Sequence, residues 1–243
     1  MSIIPLQSVD YPESDGKPMG ETDLHREEMV RLINSLKRFY AREMVYVSGD
    51  LLLFYEEGNP KRFVVPDVFV VKGIQRGPRR SYKLWVEQRT PDVVIEVTSR
   101  KTKKVDSTTK PRLYRRLRVR EYFLFDPTSD YLNPPLQGYR LVNDRYALIS
   151  PDAQGALVSE QLGLRLQAES AQMPEAVPLL EEMQSQGQTQ LVFYRQDTGH
   201  RLLTAEEAAE AAAEAAEAAD EARRAAEAEV TRLREALRRR DNR

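Results

Sequence analysis

The chain has 243 residues, 41% apolar and 31% charged, and its 37 Lys and Arg nearly balance 38 Asp and Glu for a net charge of −1. That length holds one sizeable domain, or one domain with an appendage, and the balance excludes an overall basic character while allowing a local basic patch. The absence of cysteine excludes disulfides, thiolate metal sites and cysteine nucleophiles, and His25 and His200 are too few for a multi-histidine zinc site.

The first 20 residues carry three prolines and two glycines and read as an arm, without the charged-then-apolar order of a secretory leader. No apolar run approaches the ~18 residues of a membrane span. A cytoplasmic protein that does not engage a membrane is expected. After Thr22 and Asp23, Leu24, Met29, Val30, Leu32, Ile33, Leu36 and Phe39 recur at spacings of 3, 4 and 7, which predicts an amphipathic helix over 24–41.

Short extended runs follow: Val45–Val47, Leu51–Tyr55, and Val64–Val71 with Pro66-Asp67 inside it. A basic loop from Lys72 to Arg89 holds the single tryptophan, Trp85. The segment 91–97, PDVVIEV, is apolar on both faces except at Glu96, the pattern of a central strand covered on both sides. A helix over Thr108–Leu117 and a strand at Tyr122–Phe125 complete an α-β-β-β-α-β order, an α/β sandwich with a mixed sheet. Residues 138–193 read as a β-rich extension of the same domain, with 168–190 as a loop or linker. The domain is thus expected over 21–200. From Thr204 to Arg243 there is neither proline nor glycine, and 14 of the 24 residues from Ala205 to Ala228 are alanine, so 201–243 is one long Ala/Glu-rich helix. Its seam, ending in Val230, Leu233 and Leu237, reads either as a solvated single helix or as a coiled-coil contact, and a homo-oligomer, first of all a dimer, is the expected assembly.

Chemistry concentrates between residues 61 and 120. A carboxylate inside VVIEV is costly to bury unless paired, hydrogen-bonded or metal-bound, so Glu96 is either the partner of a nearby arginine or a ligand. Asp67 opens the other strongly apolar run and is either a turn residue after proline or the second carboxylate of a site. If the two strands are neighbours, Asp67 and Glu96 supply the minimum for one Mg²⁺ or Mn²⁺, with the carbonyl of Val97 as a third ligand. Asp92 lies roughly 13 Å from Glu96 along the strand, too far to share an ion. The stretch 61–120 holds 18 Lys and Arg against five Asp and Glu, and within 100–120 ten basic residues face one acid, Asp106. Such a patch beside buried carboxylates suits a phosphodiester substrate, although a solvated helix face has the same signature.

An ordered series now stands out: Pro66-Asp67, then Pro91-Asp92 with Glu96-Val97, then Asp106, Lys110 and Tyr114 at steps of four, then Glu121-Tyr122-Phe123 ending in Asp126-Pro127. With the later QGYRL, LGLRL and TGHRLLTAEE segments, it resembles the Uma-two type of restriction endonuclease family within the PD-(D/E)XK nuclease superfamily, over roughly residues 20–240. The resemblance implies a restriction-endonuclease-like core, a mixed sheet flanked by helices, and a metal-dependent endonuclease acting on DNA. It makes Asp67 and Glu96 the metal-binding carboxylates. The superfamily lysine usually stands two residues after the glutamate, where this chain has Thr98, so Lys110 on the next helix becomes its migrated counterpart. Glu28, or its neighbour Glu27, would be the acid often found on the first helix. Under this reading Arg100, Lys101, Lys103, Lys104, Arg112 and Arg115 hold the DNA backbone. The departures are Pro111 directly after Lys110, which moves the expected helix start to about Thr108, and Arg120 where the family favours proline. The competing reading is a catalytically silent nuclease-fold protein that binds nucleic acid or assembles through its C-terminal helix.

Overall fold

A computed structural model describes residues 9–14, 22–170 and 188–241, and the chain divides into two compact units, Met1–Leu202 and Leu203–Arg243. In the first unit, Thr22 caps helix α1 (Asp23–Phe39) by accepting the His25 amide, and His25, Glu28, Met29, Leu32, Ser35 and Leu36 form its buried stripe. The helix ends two residues earlier than its apolar periodicity predicts. A tighter turn forms at Tyr40 and Ala41, and the Tyr40 hydroxyl donates to the Leu162 carbonyl at 2.6 Å.

The main sheet has six strands in the order β1 (Val45–Ser48), β4 (Val68–Lys72), β6 (Val93–Val97), β7 (Glu121–Phe125), β8 (Leu136–Val142), β9 (Arg145–Leu148). Only β6 and β7 run parallel, so the sheet is mixed. Every residue of β6 is buried. On one face Val68, Val70, Val93, Ile95 and Val97 pack with α1 and with a three-stranded antiparallel sheet made of β10 (Leu157–Ser159), β11 (Leu164–Ser170) and β12 (Thr189–Arg195). On the other, Phe69, Val71, Val94, Tyr122 and Leu124 pack with Tyr114 of helix α3 (Lys110–Arg116) and with a small sheet of β3 (Phe63–Val64), β2 (Leu53–Phe54) and β5 (Tyr82–Lys83).

Several expectations are corrected. The run 64–71 is not one strand: it breaks between β3 and β4 at Val65-Pro66-Asp67, where proline has no amide to donate and Asp67 turns its own amide to a side chain of β6. The basic loop 72–89 contains β5 and a single helical turn, α2 (Leu84–Glu87), closed by Gln88 at φ 55°. The helical segment before β7 begins earlier than Thr108, because a π-helical turn over Val105–Thr109 leads into α3. Residues 138–148 are not an extension but the outer strands of the main sheet. The predicted linker 168–190 is strand at both ends, in β11 and β12, and its stretch 171–187 lies outside the described residues, as does most of the arm 1–20. Of the arm, Tyr11 packs edge-on against Phe54 with ring centroids 5.0 Å apart.

The second unit is helix α4 (Ala205–Asp241), opened by a reciprocal cap in which Glu207 accepts the Thr204 amide and Thr204 accepts the Glu207 amide. No helix among the described residues is long and apolar enough to cross a membrane.

Candidate active site

The antiparallel register of β4 and β6 pairs Val68 with Ile95. One step further the ladder would pair Asp67 with Glu96, and there side chains replace the backbone bonds. The Asp67 amide donates to Glu96 Oε2 at 3.2 Å, and the Val97 amide donates to Asp67 Oδ2 at 2.8 Å. Gly49 makes this approach possible, since a Cβ on it would overlap the Asp67 carbonyl oxygen.

Lys110 opens α3 and extends its Nζ to 2.7 Å from Glu96 Oε2 and 3.1 Å from Asp106 Oδ1. One turn on, the Tyr114 hydroxyl donates to Glu96 Oε1 at 2.7 Å. The steps of four from Asp106 to Lys110 to Tyr114 thus put three side chains on one helix face, over one buried carboxylate. The π-helical turn is part of this construction. In that turn the residue at 111 would donate its amide to the Asp106 carbonyl five residues earlier, but Pro111 has none, and the Tyr122 hydroxyl takes that carbonyl at 2.6 Å instead.

From α1 the chain brings His25, not Glu28. His25 is buried, with Nε2 3.2 Å from Asp67 Oδ2. Both Glu28 oxygens are engaged elsewhere, by Arg31 at 2.7 and 2.9 Å and by the Leu191 amide at 2.8 Å, tying α1 to β12. The acid expected at the site from α1 is therefore a structural ion pair. The helix N-cap at Thr22 sets His25 in the first turn, three residues before Glu28, and that difference along the axis decides which side chain reaches β4. Val97 contributes its amide to Asp67.

The cluster sets three carboxyl groups against one lysine. Burial pushes Glu96 well above the usual carboxylate range, with Asp67 and Asp106 adding to the effect and Lys110 opposing it. Burial raises Asp106 as well. Asp67 goes the other way: burial pushes it up, but His25, Lys110 and the Val97 amide together hold it below its ordinary value. Lys110 is driven up against burial by Glu96, Asp67 and Asp106. An excess of buried negative charge made of hard oxygens suits a divalent cation such as Mg²⁺. Among the described residues no three His, Asp or Glu side chains are arranged to hold an ion, so one would rest on Asp67 and Glu96, with water completing its shell.

Around the cluster, Arg100, Lys101, Lys103, Lys104, Arg112 and Arg115 are all exposed, and none forms an ion pair among the described residues. A cavity of about 210 Å³, lined among others by His25, Thr98, Arg100, Lys101 and Tyr131, adjoins the site. Two further residues of the ordered series prove to be scaffold. Glu121 is fully buried and holds Arg140 at 3.0 Å together with the amides of Glu160 and Gln161, and Asp126 accepts the amides of Thr128, Tyr131 and Leu132.

Comparison with known proteins returns the same family that the ordered series resembles. The model of the Uma2 family, described as "Putative restriction endonuclease", matches residues 6–174. No curated protein matches the chain. A solved structure, the "putative nuclease belonging to DUF820" from Anabaena variabilis ATCC 29413, is similar at 14% identity and a TM-score of 0.43, covering 63% of this chain and 86% of that one.

Proposed function

The chain belongs to the Uma2 family, and from that premise we propose that it is a metal-dependent endonuclease hydrolysing DNA phosphodiester bonds on a restriction-endonuclease-like core. The observation that carries this reading is the convergence on Glu96 of β6, which accepts from the amide of Asp67, just before β4, at 3.2 Å and from Lys110 of α3 at 2.7 Å. Asp67 and Glu96 are the ligands for one Mg²⁺ or Mn²⁺. Bound there, a hard dication supplies a Lewis acid for the scissile phosphate and lowers the pKa of a coordinated water. His25 and the Val97 amide hold Asp67 in its ionised form, ready for a cation. Lys110, fixed by Glu96 and Asp106, directs positive charge to where the phosphate becomes more negative. The exposed cations at 100–104, with Arg112 and Arg115, position the backbone without reading sequence.

The test is incubation of supercoiled and linear DNA with Mg²⁺ or Mn²⁺, against Glu96→Ala and against chelator. Metal-dependent cleavage that Glu96→Ala abolishes is the expected result. Full DNA binding with no cleavage under either metal would replace this reading with the silent one, which Thr98 at the usual lysine position favours. The exposed Val230, Leu233 and Leu237 of α4 are, in the same proposal, the contact for a second copy of the chain.

A further inference from the structure

A cleft of the first unit lies away from the carboxylate cluster. It has a volume of about 560 Å³ and opens at the start of β6, where Pro91 and Asp92 lie five and four residues before Glu96. Its walls combine two aromatic residues, Tyr55 and Trp85, with three arginines, Arg89, Arg118 and Arg120. Trp85 is held firmly although it is only half-buried. It lies in the helical turn α2, which Gln88 closes by donating its side chain to the Trp85 carbonyl at 2.8 Å. Arg79 clamps Glu87 of the same turn at 2.6 and 3.0 Å, and Tyr11 packs on the indole with ring centroids 5.2 Å apart. A rigid, half-exposed indole at a cleft wall is a stacking platform.

Glu57 and Asp92 also line the cleft and Arg118 is paired with Asp144, so the cations left for a ligand are Arg89 and Arg120, the latter also donating to Gln161 at 3.1 Å. Arg89 is exposed and has no ion pair among the described residues. Arg120 is 3.6 Å from Asp92, a long contact for an exposed arginine, while the Asp92 carboxylate already accepts the Lys72 amide at 2.7 Å. Basic residues also connect the two places: α3 starts at Lys110 against Glu96 and ends at Arg116, whose guanidinium lies 5.6 Å from the Tyr55 ring centre.

We propose that this cleft binds one nucleotide of a single-stranded DNA segment, its base stacked on Trp85 and its phosphate held by Arg89 and Arg120. The site goes beyond the cleavage reading and requires neither metal nor Lys110. Aromatic stacking with cation pairing is the chemistry that takes up unpaired bases irrespective of their sequence.

Trp85 is the only tryptophan, so its fluorescence reports on the cleft alone. The full chain, in chelator to prevent cleavage, is titrated with a short oligothymidylate, with thymidine monophosphate and with inorganic phosphate. The oligonucleotide is expected to quench the emission saturably, and Arg89→Gln/Arg120→Gln to weaken that binding by about tenfold. Trp85→Leu, read by anisotropy of a labelled oligonucleotide, should weaken binding by a similar factor while circular dichroism stays unchanged. Unchanged affinity in both variants overturns the proposal. Quenching by thymidine monophosphate as strong as by the oligonucleotide overturns the strand assignment in favour of a free nucleotide. A chain that fails to cleave DNA yet shows the quench leaves this inference standing and removes only the nuclease reading.

Discussion

Lys110 is the one lysine set among three buried carboxyl groups, so its removal reads out both chemistry and charge balance. Lys110→Ala is expected to lower cleavage by orders of magnitude while DNA affinity stays nearly intact, because the lysine contacts Glu96 and Asp106 and not the exposed surface. Truncating one partner of a buried pair also costs stability, about 3–5 kcal/mol at neutral pH, less whatever protonation of the carboxyls recovers. By contrast Lys103→Ala removes an exposed charge and should weaken DNA binding modestly and flatten its salt dependence. Normal cleavage by Lys110→Ala with a dead Lys103→Ala would overturn the assignment. The carboxyls themselves predict a pH profile. Glu96 and Asp106 hold their protons more tightly in the folded chain, so stability falls as pH rises from about 4 through their raised folded values. Asp67 has the opposite sign: its contribution is present above its unfolded value of about 4 and is lost as pH falls through the lowered folded one. Urea unfolding in chelator should therefore show stability declining from about pH 5 to neutrality, at up to ~1.4 kcal/mol per pH unit for each proton involved. Glu96→Gln should reduce that slope, and a flat or rising wild-type profile would contradict the charge excess.

At the scale of elements, the π-helical turn ahead of α3 sets where Lys110 points. Its weak place is the Asp106 carbonyl, which has a tyrosine hydroxyl where a helix would offer an amide. Tyr122→Phe leaves that buried carbonyl without a donor and should destabilise the domain by about 1–3 kcal/mol, measured by urea unfolding. Cleavage should fall with it, since Lys110 follows the turn directly. Pro111→Ala restores an amide at the right point, so the double variant should recover part of the loss. Strict additivity of the two changes would show that hydroxyl and proline are not coupled.

For the whole molecule, the two units differ in what holds them. The first has two apolar cores, one on each face of the main sheet, whereas α4 is exposed along nearly its whole described length and holds itself by helix propensity and its capping box. Truncation after Leu203 should leave a folded first unit with an unchanged urea midpoint and unchanged metal binding. The same truncation, followed by sedimentation, tests the coiled-coil contact: a dimer that becomes a monomer assigns assembly to α4. An unfolded truncation product would instead make the helix part of the core.

Local pattern was enough for much of this protein. The alternation in VVIEV, the apolar stripe of α1, the alanine run of α4 and the steps of four from Asp106 to Tyr114 each act within a few residues. Each therefore follows from side-chain period and propensity alone. Even the need of Glu96 for partners was legible, because a carboxylate in an apolar strand is conspicuous by its cost, and Lys110 and Tyr114 supply them. What lay beyond the sequence depends on pairing at long range. The register that sets Asp67 against Glu96 is fixed by β4–β6 packing, and the entry of β8 and β9 into the main sheet by their pairing with β7. The choice of His25 over Glu28 rests on Arg31 and Leu191, the latter 163 positions away from Glu28. The earlier start of the helical segment depends on the Tyr122 hydroxyl, 16 positions from the carbonyl it caps. Partners this distant carry no periodic signal in the chain, and only the folded packing selects them.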